Sequence, residues 1–90
     1  MKTPLFPLGR LVATFGALGA MDVLDMEVAL KAHERGEWGD VGAEDAALND
    51  ASVHGGERIF SVYYTAQGIK FWIITEADRS VTTVLLPEEY

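Results

Sequence analysis

The sequence predicts a single α+β domain spanning residues 1–90, with short N-terminal helices packed on an antiparallel β-meander of three strands, or of four. Three observations predict this fold. A chain of 90 residues suits one domain, and 49% hydrophobic residues suffice for a compact core. The hydrophobic spacing changes from helical to alternating after about residue 57.

The first thirteen residues predict an extended segment followed by a possible short strand. Pro4, Pro7 and Gly9 interrupt regular structure. Leu5 and Phe6 are expected to lie against the core. Residues 10–13 could add a fourth strand to the sheet.

Two helices are expected next. Thr14 is a suitable N-cap for a short helix over residues 15–21. Asp22 or Asp25 can cap a longer helix that reaches about Arg35. Leu24, Val28 and Ala32 are expected on the buried face of that helix. Gly36 is expected to end it.

A third helix and three strands complete the prediction. AEDAALNDASV has alanines and leucine at helical spacing and ends at Gly55-Gly56. RIFSVYYTA, IKFWIIT and SVTTVLL are rich in β-branched and aromatic residues, with turn residues between them. Trp38 and Trp72 are expected in the core or at its margin.

Charge and cysteine content exclude several classes of function. The net charge is −7, and residues 22–57 hold ten carboxylates against two basic side chains. Such a surface opposes direct binding to nucleic acid and to anionic membranes. The absence of cysteine removes disulfides, thiolate metal sites and cysteine nucleophiles. We expect a cytoplasmic protein without a cofactor or a metal.

The dense carboxylates instead predict a binding surface for a basic partner, such as a protein groove that holds phosphate backbone. We call this predicted surface the acidic face. Its residues are Glu34, Glu37, Asp40, Glu44, Asp45 and Asp50.

Two other functions remain open from the residues alone. His33, Arg58, Arg79 and Thr82 could converge as the acid/base and phosphate-stabilising groups of a small metal-independent ribonuclease. Against this, His33 is interpreted as a solvated residue at a helix end, and its proximity to Glu37 does not by itself make a metal site. The third alternative is a structural or regulatory subunit that homodimerises through the exposed face of its sheet.

Three strings of the sequence resemble a group of short bacterial proteins encoded on plasmids, prophages and integrative elements. They are HERGEWGDV, GGERIFSVY and WIITEADRSVTTVLLPEEY, and the resemblance covers about residues 10–90. Phe15 departs from it, because a proline is expected at that helix start. The resemblance implies an inhibitor of host defence, of the anti-CRISPR or anti-restriction type, and assigns no catalytic residue.

Overall fold

A computed structural model describes residues 3–90 and shows an α+β fold with three helices and one four-stranded sheet. The elements are, in chain order, β1 (Arg10–Ala13), α1 (Phe15–Ala20), α2 (Val23–Glu34), α3 (Ala43–Gly55), β2 (Ile59–Tyr64), β3 (Lys70–Thr75), β4 (Val81–Leu85) and a C-terminal 3-10 helix (Pro87–Glu89).

The predicted antiparallel meander of β2, β3 and β4 is confirmed, and β1 joins it as a fourth strand. Ser61 pairs with Ile73, and Ile73 pairs with Val84. β1 lies beside β4 and runs parallel to it, so the sheet order is β1-β4-β3-β2. The prediction of a fully antiparallel sheet is therefore wrong for the pairing of β1 with β4 alone, and the four-stranded sheet is mixed.

The helix ends follow the predicted capping residues. Thr14 Oγ1 accepts a hydrogen bond from Ala17 N at 3.1 Å, and Asp22 Oδ1 accepts one from Asp25 N at 2.9 Å. Each side chain satisfies an amide that the helix itself leaves without an acceptor. α3 ends at Gly56, whose left-handed conformation (φ 75°) suits glycine.

The predicted buried face of α2 is wrong. Leu24 and Val28 are 67% and 61% exposed, whereas Ala29 and His33 are buried. Apolar residues are distributed around this helix, so hydrophobic spacing does not single out one face. Small Ala29 allows close approach to the sheet, where it joins a cluster that includes Phe71.

Within residues 3–90, the core has two clusters of buried residues on the helix side of the sheet. One centres on Phe71, Ile73 and Val84, and the other on Phe6, Trp38 and Ile59. Trp38 is only 5% exposed, which confirms its predicted role in the core. No helix within residues 3–90 is long and apolar enough to cross a membrane.

Candidate functional site: the acidic face and a buried histidine

The acidic face lies along the segment that runs from the end of α2 into α3, beside the edge strand β2. Glu34 ends α2, Glu37 and Asp40 lie in the following loop, and Glu44 and Asp45 occupy the first turn of α3. All six of its residues are exposed except Glu34, which is half-buried. The backbone carbonyl of Glu37 accepts a hydrogen bond from Tyr63 OH at 2.6 Å.

Two aromatic side chains fix two of these carboxylates. Trp38 Nε1 donates to Asp50 Oδ1 at 2.9 Å, and Tyr64 OH donates to Asp40 Oδ2 at 2.6 Å. Asp40 lies in the loop after α2, and Asp50 lies in α3. Asp45 lies about 7.5 Å along the α3 axis from Asp50, at 1.5 Å per residue.

Backbone pairing holds this loop against the sheet. Val62 N donates to Trp38 O at 3.1 Å, and Asp40 N donates to Val62 O at 2.8 Å. Between them, Gly39 takes a φ of 76°, and a Cβ there would lie 2.0 Å from the Val62 carbonyl oxygen. Glycine is therefore required at this position, and the loop presents its carboxylates on a fixed support.

Three carboxylates of the acidic face, those of Glu34, Glu44 and Asp45, have no ion-pair partner in the described part of the chain. Within residues 3–90, the observed ion pair joins Arg58 to Glu76 at 3.5 Å, away from this segment. Glu44 and Asp45 lie at the N-terminus of α3, where the helix dipole favours negative charge.

His33 is fully buried, so its interpretation as a solvated residue at a helix end is wrong. Its Nδ1 lies 2.5 Å from Ser61 Oγ, and its Nε2 lies 2.9 Å from Thr75 Oγ1. The rings of Phe6 and Trp38 meet the imidazole edge-on. Two strand residues and two aromatic rings thus surround the imidazole.

The hydroxyl chain beyond His33 fixes its tautomer. Thr82 Oγ1 donates to the Leu8 carbonyl at 2.6 Å, so it accepts the proton of Thr75 across 2.8 Å. Thr75 must then accept from His33 Nε2–H, and Ser61 donates to Nδ1. The hydroxyl chain therefore places a proton on Nε2, and a neutral ring accepts from Ser61 through Nδ1.

Burial is also the main reason why the pKa of His33 falls from 6.5 to about 3, and the charge of Arg79 lowers it further. A general acid or base for RNA cleavage needs a pKa nearer neutral pH and access to substrate. Both ring nitrogens of His33 already have partners inside the protein.

The structure does not assemble the four residues of the ribonuclease alternative into one accessible site. Arg58 lies on the opposite side of the sheet from His33, where Arg58 Nη1 donates to Tyr90 OH at 2.6 Å. It borders an open groove of about 270 Å³, lined also by Phe60, Trp72, Ile74 and Tyr90. Thr82 is completely buried.

Arg79 does not point into solvent. Its Nη2 donates to Ser52 O at 2.7 Å, and its Nη1 donates to Glu57 O at 2.6 Å. Arg79 has a positive φ of 60°, which turns the chain between β3 and β4. The guanidinium thus connects this turn to the end of α3. Asp78 does not pair with it but accepts from Ser80 N at 3.0 Å.

Sequence alone did not indicate the partners of His33, nor the two hydrogen bonds between the side-chain amide of Asn49 and the backbone of Phe60. Ser61 and Thr75 are polar residues at core-facing positions of predicted strands. Polar residues at such positions indicate a buried hydrogen-bond network. No group of three or more His, Asp or Glu that could hold a metal is present in residues 3–90. Comparisons with protein-family models, curated proteins and solved structures give no match to this chain.

Proposed function

We propose that this protein acts by binding, and that its acidic face occupies a basic surface that normally holds the phosphate backbone of a nucleic acid. The observation that carries the proposal is the density of negative charge along this segment. Between Glu34 and Asp50 the chain has six carboxylates and a single basic residue, Arg35.

Contacts of Trp38 and Tyr64 hold two of these carboxylates in place. A held arrangement is more typical of a binding surface than of a flexible, solvated acidic segment. Trp38 anchors the loop in the core, and its hydrogen bond orients Asp50. Tyr64 orients Asp40 in the same way. Carboxylates held in place lose less conformational entropy on association than mobile ones, and their field attracts a basic partner over a long range.

The resemblance to proteins of plasmids, prophages and integrative elements suggests what the partner does. We propose that it is a host defence complex that handles nucleic acid, and that the protein inhibits it by competing for the phosphate-binding groove. Inhibitors of this type include anti-CRISPR and anti-restriction proteins. The mechanism needs no catalytic residue, cofactor or metal.

Capture from a host lysate with a competitor tests this function. The immobilised protein should retain a nucleic-acid-binding protein at low salt, and duplex DNA should displace that protein in proportion to its concentration. High salt should weaken the interaction because it screens the charges of both surfaces. A retained protein that binds equally well with excess DNA would contradict competition for a phosphate groove.

A further inference from the structure

The two edges of the sheet differ in whether their outward backbone groups have hydrogen-bond partners. On the β2 edge, the side-chain amide of Asn49 imitates a neighbouring strand: its Nδ2 donates to Phe60 O at 2.6 Å, and its Oδ1 accepts from Phe60 N at 3.1 Å. Trp38 and Asp40 complete the pairing at Val62. This edge is closed to further strands.

The β1 edge is open. Arg10 N donates to Ser80 O at 2.9 Å, and Thr14 N donates to Val84 O at 3.0 Å. Since alternate residues of a strand direct their backbone groups to opposite sides, Leu11 and Ala13 direct theirs away from β4. Within residues 3–90, no group hydrogen-bonds to these outward N–H and C=O groups.

The surroundings of β1 are largely apolar, and the strand is flanked by one base, Arg10, and one carboxylate, Glu89. Leu11 is 52% exposed and Phe15 is 93% exposed. Arg10 is the only charged residue between positions 3 and 21, in a chain of net charge −7. Two copies of so acidic a protein repel each other least at this edge, and exposed apolar residues favour contact there.

We propose that β1 pairs in antiparallel fashion with β1 of a second copy, about a twofold axis that passes through Val12. Leu11 then lies opposite Ala13 of the second copy, and the two such pairs form four backbone hydrogen bonds. Val12 faces its own symmetry mate, with about 4.5 Å between their Cα atoms. The two sheets become one sheet of eight strands.

Charge complementarity supports this register. It places Arg10 opposite Thr14 of the second copy, on the same face of the sheet. The hydroxyl of that Thr14 donates to the carboxylate of Glu89, so Arg10 approaches an anion across the interface, twice in the dimer. Within the described part of its own chain, Arg10 has no ion-pair partner.

Sedimentation of charge-reversal variants tests the pairing. The native protein should show twice the 9.8 kDa mass of one chain. Arg10→Glu should weaken the dimer roughly tenfold or more, because like charges then face each other. Lys31→Glu is the matched control, since Lys31 is an exposed base on α2, and it should leave the dimer constant unchanged. A monomer at all concentrations up to about 1 mM would overturn the proposal.

Disulfide cross-linking tests the register. Because the native chain has no cysteine, any disulfide formed must involve the introduced cysteine. Val12→Cys should form an interchain disulfide on mild oxidation, because about 4.5 Å between Cα atoms is within disulfide range. Thr83→Cys is the control, since Thr83 lies beside Val12 on β4. Cross-linking through Thr83 rather than Val12 would show dimerisation through the sheet face and overturn the edge pairing.

A proline variant distinguishes loss of pairing at the β1 edge from loss of folding. Leu11→Pro removes an outward N–H that makes no hydrogen bond in the described chain, and proline is tolerated on an edge of this kind. The variant should fold normally by circular dichroism and sediment as a monomer. A dimer of unchanged strength would overturn the proposal. Because the acidic face lies at the other edge, this dimer and the proposed function can fail independently.

Discussion

Nε2 of His33 lies 2.9 Å from Oγ1 of Thr75 inside the domain, and the two residues belong to α2 and β3. This contact joins the helical layer to the centre of the sheet through a neutral imidazole. The protein therefore places His33 where a charge is costly, which makes the protonation of His33 a reporter of folding.

The first prediction concerns pH. The folded-state pKa of His33 is about 3 and the unfolded value is near 6.5, so the unfolded chain takes up the proton first as pH falls. The stability that neutral His33 supplies is complete above about pH 6.5 and declines towards pH 3, by up to about 1.4 kcal/mol per pH unit. Urea unfolding between pH 7 and 4.5 measures this slope.

His33→Gln is the control for that slope, since it removes the titrating group. The variant should be less stable at pH 7 and should lack this contribution to the pH dependence. Nitrogen NMR should find His33 neutral at pH 5, with the proton on Nε2. A protonated His33 at pH 5 in the folded protein would contradict the assigned network.

The second prediction concerns the closed edge of the sheet. Asn49→Ala removes both hydrogen bonds to Phe60, and should lower the free energy of unfolding by about 1–3 kcal/mol. Asn49→Asp keeps the acceptor for Phe60 N but places a carboxylate against Phe60 O. It should therefore also lower the free energy of unfolding. Equal stability of Asn49→Ala and the native protein in urea would refute this role.

The third prediction concerns Arg79, whose guanidinium connects the β3–β4 turn to the carbonyl groups of Ser52 and Glu57. Arg79→Ala should lower the free energy of unfolding by about 1.5–3 kcal/mol, as expected for hydrogen bonds from a charged group. Arg79→Lys should restore little, because an ammonium lacks the planar fork that reaches both carbonyls. Full recovery by lysine in thermal unfolding would show that charge alone matters.

The fourth prediction compares adjacent residues on opposite faces of β3. Phe71 is 1% exposed in the core, while Trp72 is half-buried beside Phe60 and Tyr90. Phe71→Ala should cost about 3–5 kcal/mol and threaten folding. Trp72→Ala should cost roughly half as much, because only part of its surface leaves water. A larger loss of stability for Trp72→Ala than for Phe71→Ala would contradict the placement of the main core on the Phe71 face of the sheet.

The sequence predicted the meander because each strand alternates and turn residues separate the strands. Local pattern also located the caps at Thr14 and Asp22, since capping depends on residues within one turn. It could not give the parallel pairing of β1 with β4, because an edge strand has the same pattern in either direction. Nor could it place His33, whose partners Ser61 and Thr75 are 28 and 42 residues away.

The acidic face was predicted from charge density, and the structure adds what supports it. The bond from Trp38 to Asp50 joins a core residue to a surface carboxylate, and no spacing rule predicts such a pair. Asp40 and Asp50 also stabilise the fold through Tyr64 and Trp38. Tests of binding are therefore cleaner with the other carboxylates.

The central claim is tested most directly by the affinity of matched charge variants for the captured partner. One variant carries Glu34→Gln, Glu44→Gln and Asp45→Asn. The control carries Glu27→Gln, Glu57→Gln and Glu88→Gln, which remove the same charge from exposed sites elsewhere. Both variants should fold, since exposed or half-buried surface charges contribute only about 0–1 kcal/mol each, and loss of Glu44 and Asp45 from the first turn of α3 should cost a similar amount.

Affinity for the partner should be measured at roughly 0.05 and 0.5 M salt, where screening differs strongly. The acidic-face variant should bind much more weakly than the native protein and lose most of the salt dependence, whereas the control should keep most of both. Equal weakening by the two variants would mean that only net charge matters, and unchanged binding by the acidic-face variant would contradict the account.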